Sequence, residues 1–159
     1  MSRELDEIKK YIGLEAVTVQ HYIDAGSIKF FAEAIMDPEP RYRDFNREMV
    51  APPCFYGGAT GLRNVKSDDP RALISTNVPM PAGWVGMNAG DDFEMLEPIR
   101  PGDVLTCHER VTGAYEKQGR SGHLIFVIRE KKFVNQIGKT ALIRRTTSVS
   151  RPSDTGGKL

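Results

Sequence analysis

The chain has 159 residues, of which 40% are hydrophobic and 27% are charged, and its formal net charge is +1. These values are typical of one soluble globular domain. A net charge so near zero gives no electrostatic basis for nucleic-acid binding, and no apolar run approaches the length of a membrane helix. The N-terminus lacks the apolar core of a secretory signal. We therefore expect a cytoplasmic protein.

The first part of the chain predicts two helices. Residues 2–11 have the pattern of a short polar helix with one apolar side. Asp24 or Ser27 can cap the second helix, and Pro38 and Pro40 stop it because neither can donate the next backbone hydrogen bond. Five residues of the second helix have the spacing of one buried face: Ile28, Phe31, Ala32, Ile35 and Met36.

Residues 51–65, APPCFYGGATGLRNV, predict a further helix, with Pro53 suited to its first turn. Gly57, Gly58 and Gly61 each cost about 1 kcal/mol in a helix relative to alanine. Their number indicates that other backbone or a ligand approaches closely. Residues 66–82 are rich in helix and strand breakers, which predicts an irregular excursion that borders the ligand site.

The second half of the chain predicts β structure. Its long runs are rich in β-branched and aromatic residues and are separated by short turns, which favours successive antiparallel hairpins. A Gly102–Asp103 turn precedes them. The predicted strands are 104–116, 123–135 and 139–150, with weaker candidates at 15–20 and 86–96. The sequence thus predicts an α+β domain over residues 1–151, in which an antiparallel sheet wraps around the central glycine-rich helix, followed by a disordered tail, 152–159.

The order and spacing of several segments resemble the hotdog-fold dehydratases over roughly residues 12–151. The likeness is greatest to the N-terminal half-domains of MaoC-like dehydratases, also called FAS1-like dehydratases. The segments that carry it are FFAEAIMDPEPRY, VAPPCF, MNAGDDFEMLEPIRPGD, GRSGHLIFV and NQIGKTALIRRTTSVSR. The resemblance implies a single hotdog domain. The 3-hydroxyacyl-thioester dehydratases built from two different hotdog subunits are a plausible subset.

The resemblance also implies a catalytic loop, and this chain departs from it. In complete members the loop reads Asp-x-Asn-Pro-x-His, and the aspartate and histidine activate the water that adds to a 2-enoyl thioester. Here Asp37 matches the aspartate, Glu39 stands at the asparagine, Pro40 matches the proline and Tyr42 stands at the histidine. Tyrosine, with a reference pKa near 10 against about 6.5 for histidine, is a poor base near neutrality.

The second departure lies at the start of the predicted central helix. Complete members have a His-Gly pair there, and the glycine N–H stabilises the thioester oxygen. The matching positions here are Pro52 and Pro53, and proline has no N–H. The resemblance therefore implies a degenerate subunit of an enoyl-CoA hydratase or 3-hydroxyacyl-thioester dehydratase, whose partner hotdog subunit supplies the catalytic pair. The alternatives are a homo-oligomeric hydratase, such as a homodimer, that uses Asp37 and Tyr42, a non-catalytic acyl-CoA-binding scaffold, and a thioesterase.

The substrate implied by the resemblance is an acyl-CoA or acyl-carrier thioester. We expect it to contact the start of the central helix, and Arg120 can bind a phosphate of the coenzyme A arm. Structural roles compete with these: Asp37 as an acid that bonds to the loop backbone, and Tyr42 as a packed side chain. The expected contacts at the central helix are Pro53, Cys54, Phe55 and Gly57.

No metal or other cofactor is expected. His21, His108 and His123 share no metal-ligand spacing with one another or with the two cysteines. Arg144 and Arg145 are adjacent in a predicted strand, so we expect their side chains to point to opposite faces of the sheet, one towards solvent and one towards a phosphate-bearing arm.

Overall fold

The computed structural model describes residues 2–15, 19–56, 78–119 and 122–153. Two short helices precede four long strands. In chain order the elements are α1 (Arg3–Lys9), β1 (Val19–Tyr22), α2 (Ala25–Ala34), a 3-10 helix (Pro40–Tyr42), β2 (Trp84–Met95), β3 (Val104–Gly119), β4 (Gly122–Val134) and β5 (Thr140–Pro152). None of the described helices has the length and hydropathy to cross a bilayer.

Helix α1 confirms the helix predicted over residues 2–11. Ser2 caps it, since its Oγ accepts a hydrogen bond from the Leu5 N–H at 3.2 Å. Leu5 and Ile8 are each 2% exposed and form the buried side of the helix. The Ser2 hydroxyl also donates to Glu116 on β3 at 2.6 Å, which fixes the start of the helix against the sheet.

Helix α2 confirms the second predicted helix but ends earlier than expected. Asp24 is its cap, and the predicted core positions Ile28, Phe31 and Ala32 lie in the core. The prediction that Ile35 and Met36 share this buried face is wrong, because they are 47% and 83% exposed. Met36 has a φ of 57°, so the chain leaves the helix before it reaches Pro38.

The five strands form one curled antiparallel sheet in the order β1-β3-β4-β5-β2. The successive hairpins predicted for β3, β4 and β5 are confirmed. The weak candidate at 86–96 is a full edge strand, β2, which pairs with β5 and has a bulge between Asn88 and Gly90. Strand β5 reaches Pro152, the first residue of the predicted tail.

The helix predicted over residues 51–65 does not begin at Pro53. Residues 51–56 form a turn, in which the Phe55 N–H donates to the Pro52 carbonyl at 3.2 Å and Cys54 has a φ of 70°. A left-handed residue interrupts the dihedral angles that a helix needs. The rest of the predicted helix, Gly57 included, lies outside the described residues, as do most of the predicted excursion and Arg120.

Two hydrophobic clusters lie against the sheet. The first gathers around Phe133 and Leu142, both 0% exposed, and contains Ile23, Ile28, Met49, Phe55, Ile99, Leu105, Cys107 and Ala141. The second contains Leu5, Ile8, Val78, Val111, Ile125 and Val127. The first half of β3 alternates in burial, as expected for a sheet with one packed face. This is the predicted α+β domain, and its packed face is called the core face below.

Candidate functional site

The loop after α2 is held by hydrogen bonds to its own backbone. The Asp37 N–H donates to the Ala32 carbonyl at 2.9 Å, and one Asp37 carboxylate oxygen accepts from the Glu39 N–H at 3.0 Å. Arg43 reaches back and donates to the same Ala32 carbonyl at 3.3 Å. The aspartate therefore stabilises the turn, which is the structural role weighed against catalysis.

Tyr42 ends the 3-10 helix and points inward. Tyr42 is only 8% exposed, and its N–H donates to the Glu39 carbonyl at 3.1 Å. The Arg41 guanidinium lies over the Tyr42 ring, 5.5 Å from its centroid. Two closely spaced prolines and these contacts fix the position of the ring.

The chain that follows the loop is joined to the turn before β3. The Ala51 N–H donates to the Ile99 carbonyl at 2.8 Å, and Arg100 forms an ion pair with Glu48 at 3.0 Å. Gly102 has a φ of 88°, the left-handed conformation that the predicted turn requires. Residues more than 40 positions apart in sequence thereby become neighbours.

A cavity of about 520 Å³ opens where these segments meet, within the size range of small-molecule sites. Its carboxylates are already paired with cations, Glu48 with Arg100 at 3.0 Å and Glu97 with Lys139 at 3.2 Å. Among the described residues, no three potential metal ligands converge here or elsewhere. The cavity is lined by Arg41, Tyr42, Glu48, Val50, Ala51, Pro53, Met95, Leu96, Glu97, Pro98, Ile99 and Arg100.

The sequence model of the FAS1-like, dehydratase domain region matches residues 10–144. The chain belongs to this family. The match spans the loop, the cavity and most of the sheet, so the resemblance seen in the sequence is confirmed. No curated protein matches this chain significantly.

Solved structures show the fold of this chain. A chain of the ChsH1-ChsH2 complex from Mycobacterium tuberculosis has a TM-score of 0.71 at 15% identity, covering 98% of this chain and 100% of that one. A MaoC-like dehydratase from Rhodospirillum rubrum has a TM-score of 0.55 at 24% identity, covering 89% and 94%. A chain of the HadBC (3R-hydroxyacyl-ACP dehydratase) complex from M. tuberculosis has a TM-score of 0.57 at 15% identity, covering 84% and 94%. The domain has the predicted hotdog fold.

The predicted site residues lie in different surroundings. Tyr42 and Pro53 line the cavity, whereas Asp37 is not among its described lining residues. Cys54 is exposed beside it. Phe55 is 1% exposed and packs edge-on against Phe31, with 5.5 Å between ring centroids, so it serves the core.

A second polar group lies on the core face, between the two hydrophobic clusters. In one row across the strands, Lys131 lies opposite both Glu109 and Arg144. In the next row, Thr146 lies opposite both Arg129 and Asp91. Cross-strand partners share one face of a sheet. We call this group the polar band: Asp91, Glu109, Arg129, Lys131, Arg144 and Thr146.

Sequence reasoning found only part of the polar band. The prediction that Arg144 and Arg145 point to opposite faces is confirmed. Arg144 donates to Asp91 and to the Tyr56 hydroxyl, each at 2.7 Å, whereas Arg145 pairs with acids of the other face, including Glu130 at 3.1 Å. The band residues on β3 and β4 also left a signal in the sequence. Glu109, Arg129 and Lys131 are charged, yet they stand midway along these strands at positions where the alternating pattern predicts an inward-facing residue.

Proposed function

We propose that this chain is a subunit of an enoyl-thioester hydratase, or in the reverse direction a 3-hydroxyacyl-thioester dehydratase. A partner hotdog subunit would supply the catalytic aspartate and histidine. The proposal is supported by the loop after α2 in a chain of the dehydratase family. In this loop the Asp37 carboxylate accepts from the backbone of its own turn, and a buried Tyr42 stands at the position of the base.

The chemistry requires more than this loop supplies. Hydration places a hydroxyl on C3 and a proton on C2, so an acid and a base must both face the substrate. A tyrosine is a poor general base near neutral pH. Few backbone N–H groups remain here to stabilise the thioester oxygen. Pro52 and Pro53 have no N–H. The N–H groups of Ala51 and Phe55 already donate to the carbonyls of Ile99 and Pro52.

The free edge of β2 supports a partner-dependent enzyme. Within the described sheet, β2 pairs with β5 on one side only, and an unpaired edge of 12 residues is a ready site for strand addition. Val85, Met87 and Met95 are 42%, 54% and 37% exposed along it. Two of the similar structures, ChsH1-ChsH2 and HadBC, are described as complexes. Coenzyme A or carrier-protein thioesters are the proposed substrates.

The first test compares this chain alone with a complex that contains a hotdog subunit carrying Asp-x-Asn-Pro-x-His. Hydration of crotonyl-CoA and of a long-chain 2-enoyl-CoA is followed by the loss of enoyl-thioester absorbance. We expect hydration by the complex and only background rates from either the chain alone or buffer. Rapid hydration by the chain alone would contradict the need for a partner.

Asp37→Asn tests whether the aspartate takes part in the chemistry. Asp44→Asn is the matched control, because Asp44 also accepts a hydrogen bond from the backbone two residues on, the Asn46 N–H at 2.9 Å. In the complex we expect each variant to keep its rate within about twofold, since neither carboxylate acts on the substrate. Hydration by the chain alone that is lost in Asp37→Asn but kept in Asp44→Asn would support the homo-oligomeric hydratase instead.

A further inference from the structure

The polar band is costly for the fold and incompletely satisfied. Glu109 is only 8% exposed. One of its carboxylate oxygens pairs with Lys131 at 3.2 Å, and within the described part of the chain the other, Oε1, has no hydrogen-bond partner. Leaving such an atom buried and unpaired is unfavourable. An apolar pair of similar volume would be at least as stable in a core.

Arg129 has the complementary unpaired group, a buried hydrogen-bond donor. Its Nη1 donates to the Ser148 hydroxyl at 2.9 Å, but its buried Nε–H has no acceptor among the described residues. Burial lowers the pKa of Arg129, and the charge of Glu109 opposes that change, so the two groups lie within electrostatic reach of each other. An unused donor and an unused acceptor therefore occur together, whereas Arg144 and Asp91 already bond to each other.

Both groups line one cavity of about 440 Å³ on the core face. Val78, Met80 and Met87 give this cavity an apolar wall, which suits an alkyl chain. A hydroxyl can accept from the Arg129 Nε–H and donate to Glu109 Oε1 at once. A carboxylate would satisfy only the donor and would leave Glu109 Oε1 without a donor, and a plain alkyl chain would satisfy neither.

We propose that the polar band is a specificity site for acyl thioesters whose chain carries a hydroxyl group remote from the thioester. This inference rests on the proposed function, because it assumes that the domain receives the acyl chain of a thioester. Arg129 and Glu109 are the residues that recognise the hydroxyl, and the methionines and Val78 contact the alkyl part.

Binding of saturated acyl-CoA, which cannot be hydrated, separates this inference from the reaction. The full chain, in complex with its hotdog partner where one is required, is titrated calorimetrically with octanoyl-, decanoyl- and dodecanoyl-CoA and with their ω-hydroxy and ω-carboxy derivatives. We expect at least one ω-hydroxy derivative to bind about tenfold more tightly than its parent, the effect of one hydrogen bond to a charged group. The ω-carboxy derivative should bind more weakly than the ω-hydroxy one.

Variants test whether the polar band causes the preference for the ω-hydroxy derivative. Arg129→Met should remove the tenfold preference for the ω-hydroxy derivative. Glu109→Gln should reduce the preference and raise the relative affinity for the ω-carboxy derivative. Arg145→Met is the matched control, because Arg145 lies on the opposite face of β5, and it should keep the preference. Thermal melting of each variant monitors folding.

The outcomes separate the two proposals. Parent acyl-CoA that binds as tightly as every ω-hydroxy derivative would overturn this inference and leave the proposed function standing. A tighter ω-carboxy derivative, or a preference that survives in Arg129→Met, would also overturn it. No binding of any acyl-CoA, together with no hydration of 2-enoyl-CoA by the complex, would overturn the proposed function and this inference with it.

Discussion

Replacing Asp91 with asparagine should destabilise the sheet in a pH-dependent way. One oxygen of Asp91 accepts from Arg144 at 2.7 Å and from Thr146 at 2.6 Å, and the other accepts from Asn88 at 2.8 Å. These hydrogen bonds, that of Arg144 above all, lower the pKa of Asp91 from 3.8 to about 2. The charged carboxylate is therefore held more strongly in the folded chain than in the unfolded chain.

The size of the effect follows from that pKa. Each pKa unit is worth about 1.4 kcal/mol, so the fall from 3.8 to about 2 gives roughly 2.5 kcal/mol of stability at neutral pH. The side chain of Asp91 is 21% exposed, although the residue as a whole lies on the exposed edge strand. Because solvent screens charges at such an edge, we expect Asp91→Asn to lose about 1–2 kcal/mol.

Urea denaturation of the wild type and of Asp91→Asn over a pH series is the assay. A lowered carboxyl pKa contributes stability that is present above the unfolded value and is lost as the pH falls through the folded value. The difference between the two proteins should thus hold from neutral pH down to about 4 and shrink towards pH 2. Asp92→Asn is the control, because the Asp92 side chain is 69% exposed, and we expect a change below about 0.5 kcal/mol. Equal losses in both variants, or an Asp91→Asn loss that does not shrink in acid, would refute the reasoning.

Two further predictions concern the core and a helix terminus. Phe133→Ala should lose roughly 3–5 kcal/mol in urea denaturation, because Phe133 is 0% exposed and its ring packs 5.2 Å from that of Tyr56; a loss below about 1 kcal/mol would contradict this packing. Asp24→Ala should lose about 1 kcal/mol, because the Asp24 carboxylate accepts from the Ser27 N–H at 2.8 Å. Asp24→Asn retains an acceptor and should recover most of the melting temperature, and equal melting of the two variants would refute the capping role.

Local signals in the sequence determined the elements whose causes are local. Strands β3, β4 and β5 follow from runs of β-branched and aromatic residues between short turns. Helix α2 follows from its Asp24 cap and the spacing of its core residues. The family and the altered loop could also be recognised from the sequence, because Asp37 and Tyr42 stand at fixed positions of a family motif. The helix predicted to begin at Pro53 was wrong, because helix propensity does not reveal that Cys54 adopts the left-handed conformation.

Only the tertiary structure decided which distant residues meet. The Ala51–Ile99 hydrogen bond brings the loop beside the turn before β3 and creates the first cavity. The register of three strands places Glu109, Lys131 and Arg144 in one row, although no sequence window contains all three. Alternation shows which residues of a strand share a face, but register depends on turns and bulges that act across strands. The sequence therefore determined the family and the form of its loop, and the pairing of strands determined the polar core face.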